Sequence, residues 1–294
     1  MISNKSKKNR LFKVAILGSG NIGCDILVKT KLSKILNCEI IIGRRQDSPG
    51  LKFAKDLGVK ISYCGIEEII NKPEGYDLVF DCTSALSHNK HYYILKELGI
   101  KVIDLTPANL GEYCIPAVNL HDCVRQDNIS MVTCGGQAAI PLIYALRQNN
   151  ILNYLEVVSS ISAKSAGMAT RQNIDEYICV TEGAIKKFSG CNNVKTILNI
   201  NPADPCVNMQ TTIYAKIKDP DMLGIIANVL NMEKTVQTYI PGYSLLCEPL
   251  YDLDRVIVMV SVIGSGHYLP KYAGNLDIIT SSAIKVAENI MLNS

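Results

Sequence analysis

Short, almost uninterrupted apolar runs alternate with amphipathic segments over the first 135 residues. KVAILG (13–18), EIIIG (39–43), DLVFDCT (77–83), KVIDLTP (101–107) and ISMVT (129–133) read as strands, with helices predicted near 21–33, 50–57, 66–71 and 88–98. Strands that are apolar on both faces and separated by helices are the pattern of a parallel sheet covered on both sides. The pattern predicts an α/β fold with an N-terminal, doubly wound Rossmann domain over residues 1–135.

Beyond residue 135 the periodicity changes. A helix follows Cys134 and LEVVSSISAK (155–164) reads as a strand. TRQNIDEYICVTEGAIKKF then carries Ile174, Tyr177, Ile178, Ala184, Ile185 and Phe188 as one helical stripe, with Thr170 as its cap. In VNMQTTIYAKI, Val207, Met209, Ile213, Ala215 and Ile217 alternate with mostly polar neighbours, so one face is buried and the other wet. A helix near 221–233 and the strand RVIVMVSVIG (255–264) complete a sheet with helices on one side, an α+β second domain over 136–274. The closing stretch GNLDIITSSAIKVAENIML is helical, and residues 275–294 are expected to pack back on the first domain.

Composition narrows the picture. A length of 294 residues with 48% hydrophobic content fits two domains with sizeable cores. The net charge of +3 is small, and part of it sits in the opening MISNKSKKNR, so nothing points to nucleic acid. That opening lacks the apolar core of a signal peptide, and no run approaches the roughly 18–20 apolar residues of a membrane span. A cytoplasmic protein with no membrane partner is expected. The eleven cysteines are scattered singly with no CxxC, which fits free thiols better than disulfides or zinc. His88 and His91, the one close histidine pair, read as part of an exposed helix face, and no metal is expected.

Two glycine-rich turns carry the candidate chemistry. GSGNIG, Gly18 to Gly23, fits GxGxxG and has the required context, since it follows the strand KVAIL and opens an amphipathic helix. Gly18 allows the tight turn, Gly20 lets backbone N–H groups approach a pyrophosphate, and Gly23 permits close helix–strand packing. At the end of the second strand, where a carboxylate would bind the adenosine ribose, stands IIGRRQDSPG. Arg44 and Arg45, with Ser48 nearby, can pair with a 2′-phosphate, which makes NADP as well as NAD a candidate cofactor; the alternative is a solvent-facing turn that is simply basic.

The second turn, MVTCGGQAAIP (131–141), places Cys134 at the carboxyl end of a parallel strand and at a helix N-terminus. A cysteine is often just a small core residue. In this setting the helix end is expected to lower the thiol pKa, and N–H groups of Cys134, Gly135 and Gly136 can face an oxyanion. The two glycines are read as keeping that approach unobstructed. A thiolate beside a nicotinamide can add to an aldehyde, release hydride to the cofactor and retain a thioester.

GSGNIG, DLVFDCTSA, IDLTPANLGEYCIPAVNL, MVTCGGQAAIP, SISAKSAGMATRQNIDEY, ILNINPADP, YIPGY and YLPKYAGNLDI together resemble, in this order and over residues 13 to about 285, the acylating acetaldehyde dehydrogenases. These bacterial enzymes convert an aldehyde, coenzyme A and NAD into acyl-CoA and NADH. The resemblance implies a glyceraldehyde-phosphate-dehydrogenase-like two-domain fold, a homodimer built on the second domain's sheet, and partnership with a 4-hydroxy-2-oxoacid aldolase. It also implies that Cys134 is the acyl-thioester nucleophile and that Ser19, Gly20, Asn21 and Ile22 form the cofactor loop. Ser165, Ala166, Gly167, Met168, Ala169, Thr170, Arg171, Gln172, Asn173 and Asn275 match positions that contact the nicotinamide half. The chain departs from the pattern at Arg45, where an aspartate is expected, and at Thr211, where an acidic residue near the cysteine is expected. It departs too in GMATR for GPGTR and GHYLPKY for GDYLPKY. His267 could take over proton handling from the missing carboxylate, or be a surface or packing histidine.

Three functions are consistent with these residues. One is an acylating aldehyde dehydrogenase, and the second a reductase running the same chemistry backwards from a CoA-bound or carrier-bound acyl thioester with NADPH. The third is a Rossmann protein that binds a dinucleotide without catalysis.

Overall fold

Two sheets organise the chain, which is described over residues 11–293 in a computed structural model. The basic opening MISNKSKKNR, Ser294 and the side chains of Met168 and Ala169 lie outside the described residues. The first sheet comprises β1 (Phe12–Leu17), β2 (Leu36–Ile42), β3 (Lys60–Ser62), β4 (Leu78–Asp81), β5 (Lys101–Asp104), β6 (Glu112–Tyr113) and β7 (Asn128–Ser130). Its order is β3-β2-β1-β4-β5-β7-β6, with every neighbouring pair parallel. Between the strands run α1 (Asn21–Leu32), α2 (Pro49–Asp56), α3 (Glu67–Ile70), α4 (Ala85–Glu97) and α5 (Pro116–Cys123). Val14 to Leu17 and Leu78 to Asp81 are wholly buried, as a sheet covered on both faces requires. The strand order reverses between β1 and β4, and at such a switch point the carboxyl ends of the strands open a ligand crevice.

Several strands stop earlier than hydropathy predicts, for a shared local reason. DLVFDCT ends at Asp81 and KVIDLTP at Asp104, because each aspartate turns back on its own backbone. Asp81 Oδ1 accepts from the Thr83 N–H at 3.0 Å and Asp104 Oδ1 from the Thr106 N–H at 2.7 Å. ISMVT ends at Ser130, since Val132 has a left-handed φ of 61°.

The second sheet collects β8 (Leu152–Ser162), β9 (Val194–Asn201), β10 (Met209–Ile217), β11 (Tyr243–Leu245), β12 (Leu250–Asp252) and β13 (Arg255–Val262) in the order β11-β13-β10-β8-β9, with β12 also on β13. Within this second sheet, among the described strands, only the β8–β9 pairing is parallel. The pattern predicts no strand at β9, where polar residues interleave a half-buried strip. Helices α6 (Cys134–Arg147), α8 (Ile174–Ser189) and α9 (Met222–Gln237) pack on the sheet, joining Leu142, Val157, Ile185, Ile213, Val229 and Val258 in one core. The single helix predicted from Thr170 is two, α7 (Met168–Gln172) and α8, broken at Asn173 (φ −124°, ψ 38°). Thr170 therefore lies inside α7 rather than capping it; Asn competes with helix formation through its own side chain, and the chain turns there. Finally α10 (Gly274–Leu292) returns to the first sheet, packing Ile279, Ala283, Val286, Ala287 and Ile290 into its core. Lys29 of α1 reaches the carboxylates of Asp25 and Asp277 at 2.9 Å each in a buried network that pins the two helices together.

Candidate active site

A cleft of about 860 Å³ opens at the switch point, lined by the glycine turn after β1, the end of β2 with Arg44 and Arg45, and Cys82 to Ser84 after β4. The glycines differ in what they do. A Cβ on Gly18 (φ 107°) would lie 2.5 Å from the Cys82 carbonyl oxygen, and one on Gly23 1.9 Å from that of Gly18. One on Gly20 would meet nothing within 4 Å, because it would project into open space at the N-terminus of α1. Gly20 offers no side-chain cap, so the first N–H groups of α1 are left for an anion. The residues thus fit a dinucleotide pyrophosphate. Ser19 is committed locally, its hydroxyl 2.8 Å from that of Ser48. Ile22 packs its side chain into the core, and Asn21 lines the cleft. Both arginines are exposed; Arg45 has only a loose pair with Asp47 at 3.8 Å, and Glu67 lines the same cleft.

Cys134 is the first residue of α6, capped by Thr133, whose hydroxyl accepts from the Gly136 N–H at 3.0 Å. The preceding Val132 is held in the left-handed region, a conformation costing a β-branched residue on the order of 1–3 kcal/mol and typical of functional turns. Half-buried, the Cys134 sulfur lies 3.6 Å from the Tyr177 hydroxyl, which also accepts from the Gly135 N–H at 3.0 Å. This corrects two expectations. Burial raises the thiol pKa, and the opposing pull of the Tyr177 hydroxyl and of the Gly135 and Cys134 N–H groups does not overcome it. The helix terminus acts in the expected direction, but among the described residues no cation acts on the sulfur to complete the effect. Nor do the glycines clear a path for substrate: a Cβ on Gly135 would lie 2.3 Å from the Tyr177 oxygen, and one on Gly136 2.7 Å from the Val132 side chain. They make room for the tyrosine and for the strained cap.

Thr211 is buried beside this centre, its hydroxyl 3.0 Å from that of Ser159, which in turn borders Gly135. Two neutral hydroxyls therefore stand where the resemblance implies a carboxylate. His267 is exposed on the loop between β13 and α10, and among the described residues no hydrogen bond or ion pair joins it to the Cys134 group. Ser165 bonds to Ser162 of its own turn, and Ala166 is buried beside it. Gly167 begins α7, within which Thr170 is half-buried, and Arg171 folds back onto the carbonyls of Ala166 and Ala163. Of this run, Gln172 and Asn173 line the dinucleotide cleft. Asn173 is one helical turn before Tyr177 and accepts its N–H at 2.9 Å, so α8 connects cleft and thiol. Asn275 is buried at the start of α10 with its side-chain oxygen unpartnered. The sequence alone does not point to Tyr177, Ser159 or Val132; in it Tyr177 reads only as part of an apolar stripe.

A second polar cluster lies under the cleft, and it overturns the reading of His88 and His91 as an exposed face. Both rings give Nδ1 to Asp81 Oδ2, at 2.9 and 2.8 Å, and His88 is fully buried. On α4 the positions 88, 91 and 95 share one face, which turns toward the sheet rather than to water. His88 Nε2 lies 3.1 Å from Asn128 Nδ2 and 3.4 Å from Asp104 Oδ2, so one imidazole sits between the aspartates that end adjacent strands. Burial opposes the charge on Asp81, but the hydrogen bonds from the two histidines hold it well below the usual carboxylate range. Burial also opposes charge on His88, but Asp81 and Asp104 raise its pKa. Asp104 is pushed up to about 7 by burial and by Asp81, against the opposing influence of His88. Among the described residues no group of three or more potential metal ligands forms a metal site, all eleven cysteines are free, and no helix is long and apolar enough to cross a membrane.

Comparison with known proteins adds the family. Residues 134–270 match a family described as prokaryotic acetaldehyde dehydrogenase, dimerisation. The chain is 50% identical to a protein named acetaldehyde dehydrogenase from Spirochaeta aurantia, covering 94% of this chain and 93% of that one. It is 45% identical to one of the same name from Geobacillus stearothermophilus, with 95% of each covered. Among solved structures, aspartate semialdehyde dehydrogenase II of Vibrio cholerae, complexed with ASA, superposes with a TM-score of 0.64 over 97% of this chain and 99% of that one. At 11% identity that likeness shows a shared α/β fold and nothing finer.

Proposed function

The chain belongs to the acetaldehyde dehydrogenase family, oxidoreductases that act on aldehydes, and from that premise we propose that it is an acylating enzyme working through Cys134. In this reading acetaldehyde or a similar small aldehyde is oxidised to an acyl thioester on the cysteine, which coenzyme A then receives as acyl-CoA. The carrying observation is the connection through α8: Asn173 lines the dinucleotide cleft and Tyr177, one turn on, hydrogen-bonds the Cys134 sulfur. A nucleophile and a nicotinamide site joined by one rigid turn are what covalent aldehyde oxidation needs.

When bound, the nicotinamide cofactor supplies a hydride acceptor. Gly18 to Gly23 would hold its pyrophosphate on α1, and Gln172, Asn173 and Asn275 would hold the nicotinamide half, the unpartnered Asn275 oxygen being a ready acceptor for a carboxamide N–H. The run Ser165 to Arg171 supports this wall, with Arg171 tying the turn that precedes it. Cys134 attacks the aldehyde carbon; the Val132–Thr133 turn fixes its direction. The second domain's sheet supports a homodimer. Its outer face carries cross-strand rows of half-buried residues, Val158–Thr212–Met259 and Glu156–Tyr214–Ile257, which a second copy would cover. A partner 4-hydroxy-2-oxoacid aldolase and a cytoplasmic location belong to the same proposal, as does proton handling without the family's carboxylate at Thr211.

One observation favours a second reading. Arg44 and Arg45 line the cleft, and among the described residues the one ion pair they make is the loose Arg45–Asp47 contact at 3.8 Å, which suits NADP(H) and with it a reductase taking an acyl thioester to an aldehyde. Steady-state assays of the purified protein test both readings, using a panel of aldehydes and acyl-CoAs with each nicotinamide cofactor. CoA-dependent turnover of a short aldehyde is expected. Equal turnover with and without CoA would contradict acylation.

A further inference from the structure

An aldehyde adding to Cys134 develops negative charge on its oxygen, and some donor must meet it. Of the helix N–H groups near the sulfur, that of Gly136 is engaged by the Thr133 cap and that of Gly135 by the Tyr177 oxygen, both at 3.0 Å, which leaves the N–H of Cys134 itself as the backbone donor. A buried bond once made is costly to exchange. The phenol is placed differently. Its oxygen accepts from Gly135 and lies within reach of the Thr133 side chain, and its own O–H can donate toward the sulfur 3.6 Å away. We propose that the Tyr177 hydroxyl is a catalytic residue, the side-chain donor that, beside the Cys134 N–H, holds the oxyanion formed at Cys134; this deepens the covalent reading and rests on it.

The surroundings are built for that placement. Thr181, one turn along α8, donates to the Tyr177 carbonyl at 2.6 Å, and its hydroxyl lies 2.7 Å from the Thr133 cap, so α8 and the first turn of α6 are locked together. Gly135 is a glycine because any Cβ would displace the phenol. Burial and the neighbouring thiol push the phenol's pKa well above its ordinary value, so it stays a donor at neutral pH. The nearby Ser159–Thr211 pair contributes no charge, and the centre works with neutral hydroxyls.

The step balances as follows. Cys134 gives its proton to solvent and its sulfur forms the S–C bond, while the carbonyl π pair moves onto oxygen and accepts the Tyr177 hydrogen bond. On collapse that pair re-forms C=O, the C–H bond breaks with hydride passing to the nicotinamide, and the two-electron-oxidised acyl group remains on sulfur. The tyrosine keeps its proton throughout.

Tyr177→Phe, compared with Cys134→Ala and wild type, tests this. The expected result is a fall in kcat of about 10²–10³-fold, the usual cost of one oxyanion donor, with the dinucleotide KM little changed and Cys134 still alkylated by iodoacetamide. A Tyr177→Phe kcat within about threefold of wild type would overturn the inference alone if Cys134→Ala is inactive; an active Cys134→Ala would overturn the covalent reading as well. A second measurement does not depend on the variant folding. 3-Fluorotyrosine installed at position 177 keeps the shape and acidifies the O–H, and should lower the infrared carbonyl stretch of a ¹³C-labelled acyl group on Cys134. An unmoved stretch would overturn the proposal.

Discussion

Two glycine turns, each opening a helix at the carboxyl edge of one parallel sheet, do opposite things with the space a missing Cβ leaves. At Gly20 the space is empty and faces the cleft, so the glycine leaves room for a ligand. At Gly135 and Gly136 the space is filled by Tyr177, Val132 and the Thr133 cap, so the glycines admit other parts of the protein. On the proposed function, the first turn would bind by leaving N–H groups unused, while the second spends them on fixing the cysteine. A glycine pattern beside a helix start therefore identifies a close approach, and only the packing tells what approaches.

The comparison can be broken at its strongest point by removing the sulfur. Cys134→Ala should abolish turnover while dinucleotide affinity, measured by fluorescence titration, stays within a few-fold, because the thiol lies in the second turn and not the first. Substantial remaining activity would separate the cysteine from the chemistry. The two glycines give the next largest effect and the sharpest contrast. Gly135→Ala drives a methyl into the Tyr177 oxygen and should lower kcat by about 10²-fold through misplacement of the reacting groups. Gly20→Ala meets nothing in the protein, so its melting temperature should hold while dinucleotide affinity falls, roughly tenfold. The same loss in both variants would erase the distinction drawn between them.

Cofactor choice follows as a smaller effect. Hydrogen bonds to charged groups contribute roughly 1.5–3 kcal/mol, and screening at exposed Arg44 and Arg45 argues for the lower end. NADP(H) should be accepted at least as well as NAD(H), and Arg45→Asp should move the ratio of kcat/KM values toward NAD(H) by about tenfold. A tenfold preference of the wild type for NAD(H) would mean that the arginines do not face the ribose.

The smallest predicted effect concerns the cluster beneath the cleft. Asp104, pushed up to about 7, keeps a proton that the unfolded chain has released above its ordinary carboxyl range. Stability therefore falls as pH rises from about 4 through 7. His88, also raised, adds stability below its unfolded value of about 6.5 that is lost as pH rises through its folded pKa, the same sign. Asp81, lowered, adds stability above about 4 that is lost on further acidification. Thermal melts should show the wild type losing a few degrees between pH 5.5 and 8, and Asp104→Asn losing less. Parallel slopes would remove the cluster from the account.

Legibility followed the same divide. The doubly wound parallel sheet and its glycine turn are readable because strands buried on both faces and GSGNIG are local signals, whereas the short edge strands β3 and β6 carry too few residues to show. The second sheet was readable where alternation was clean, as in β10, and lost at β9, where half-buried positions blur it. The thiol's setting was only half readable. Nothing local to MVTCGG shows that Tyr177, 43 positions on, fills the glycine gap, or that burial outweighs the helix terminus. His88 and His91 were misread because α4 is polar for an inward-facing helix. The signal that could have placed them is the Asp-x-Thr pair at residues 81–83 and 104–106, which buries two carboxylates in need of partners.

The most direct test of the account is to look for the covalent intermediate itself. Wild-type protein incubated with acetaldehyde and NADP or NAD, without CoA, is digested under mildly acidic conditions and mapped by mass spectrometry. The account predicts an acetyl group on Cys134, discharged by adding CoA and absent from Cys134→Ala. Aldehyde oxidation with no acyl group on Cys134, or with the label on another cysteine, would contradict it.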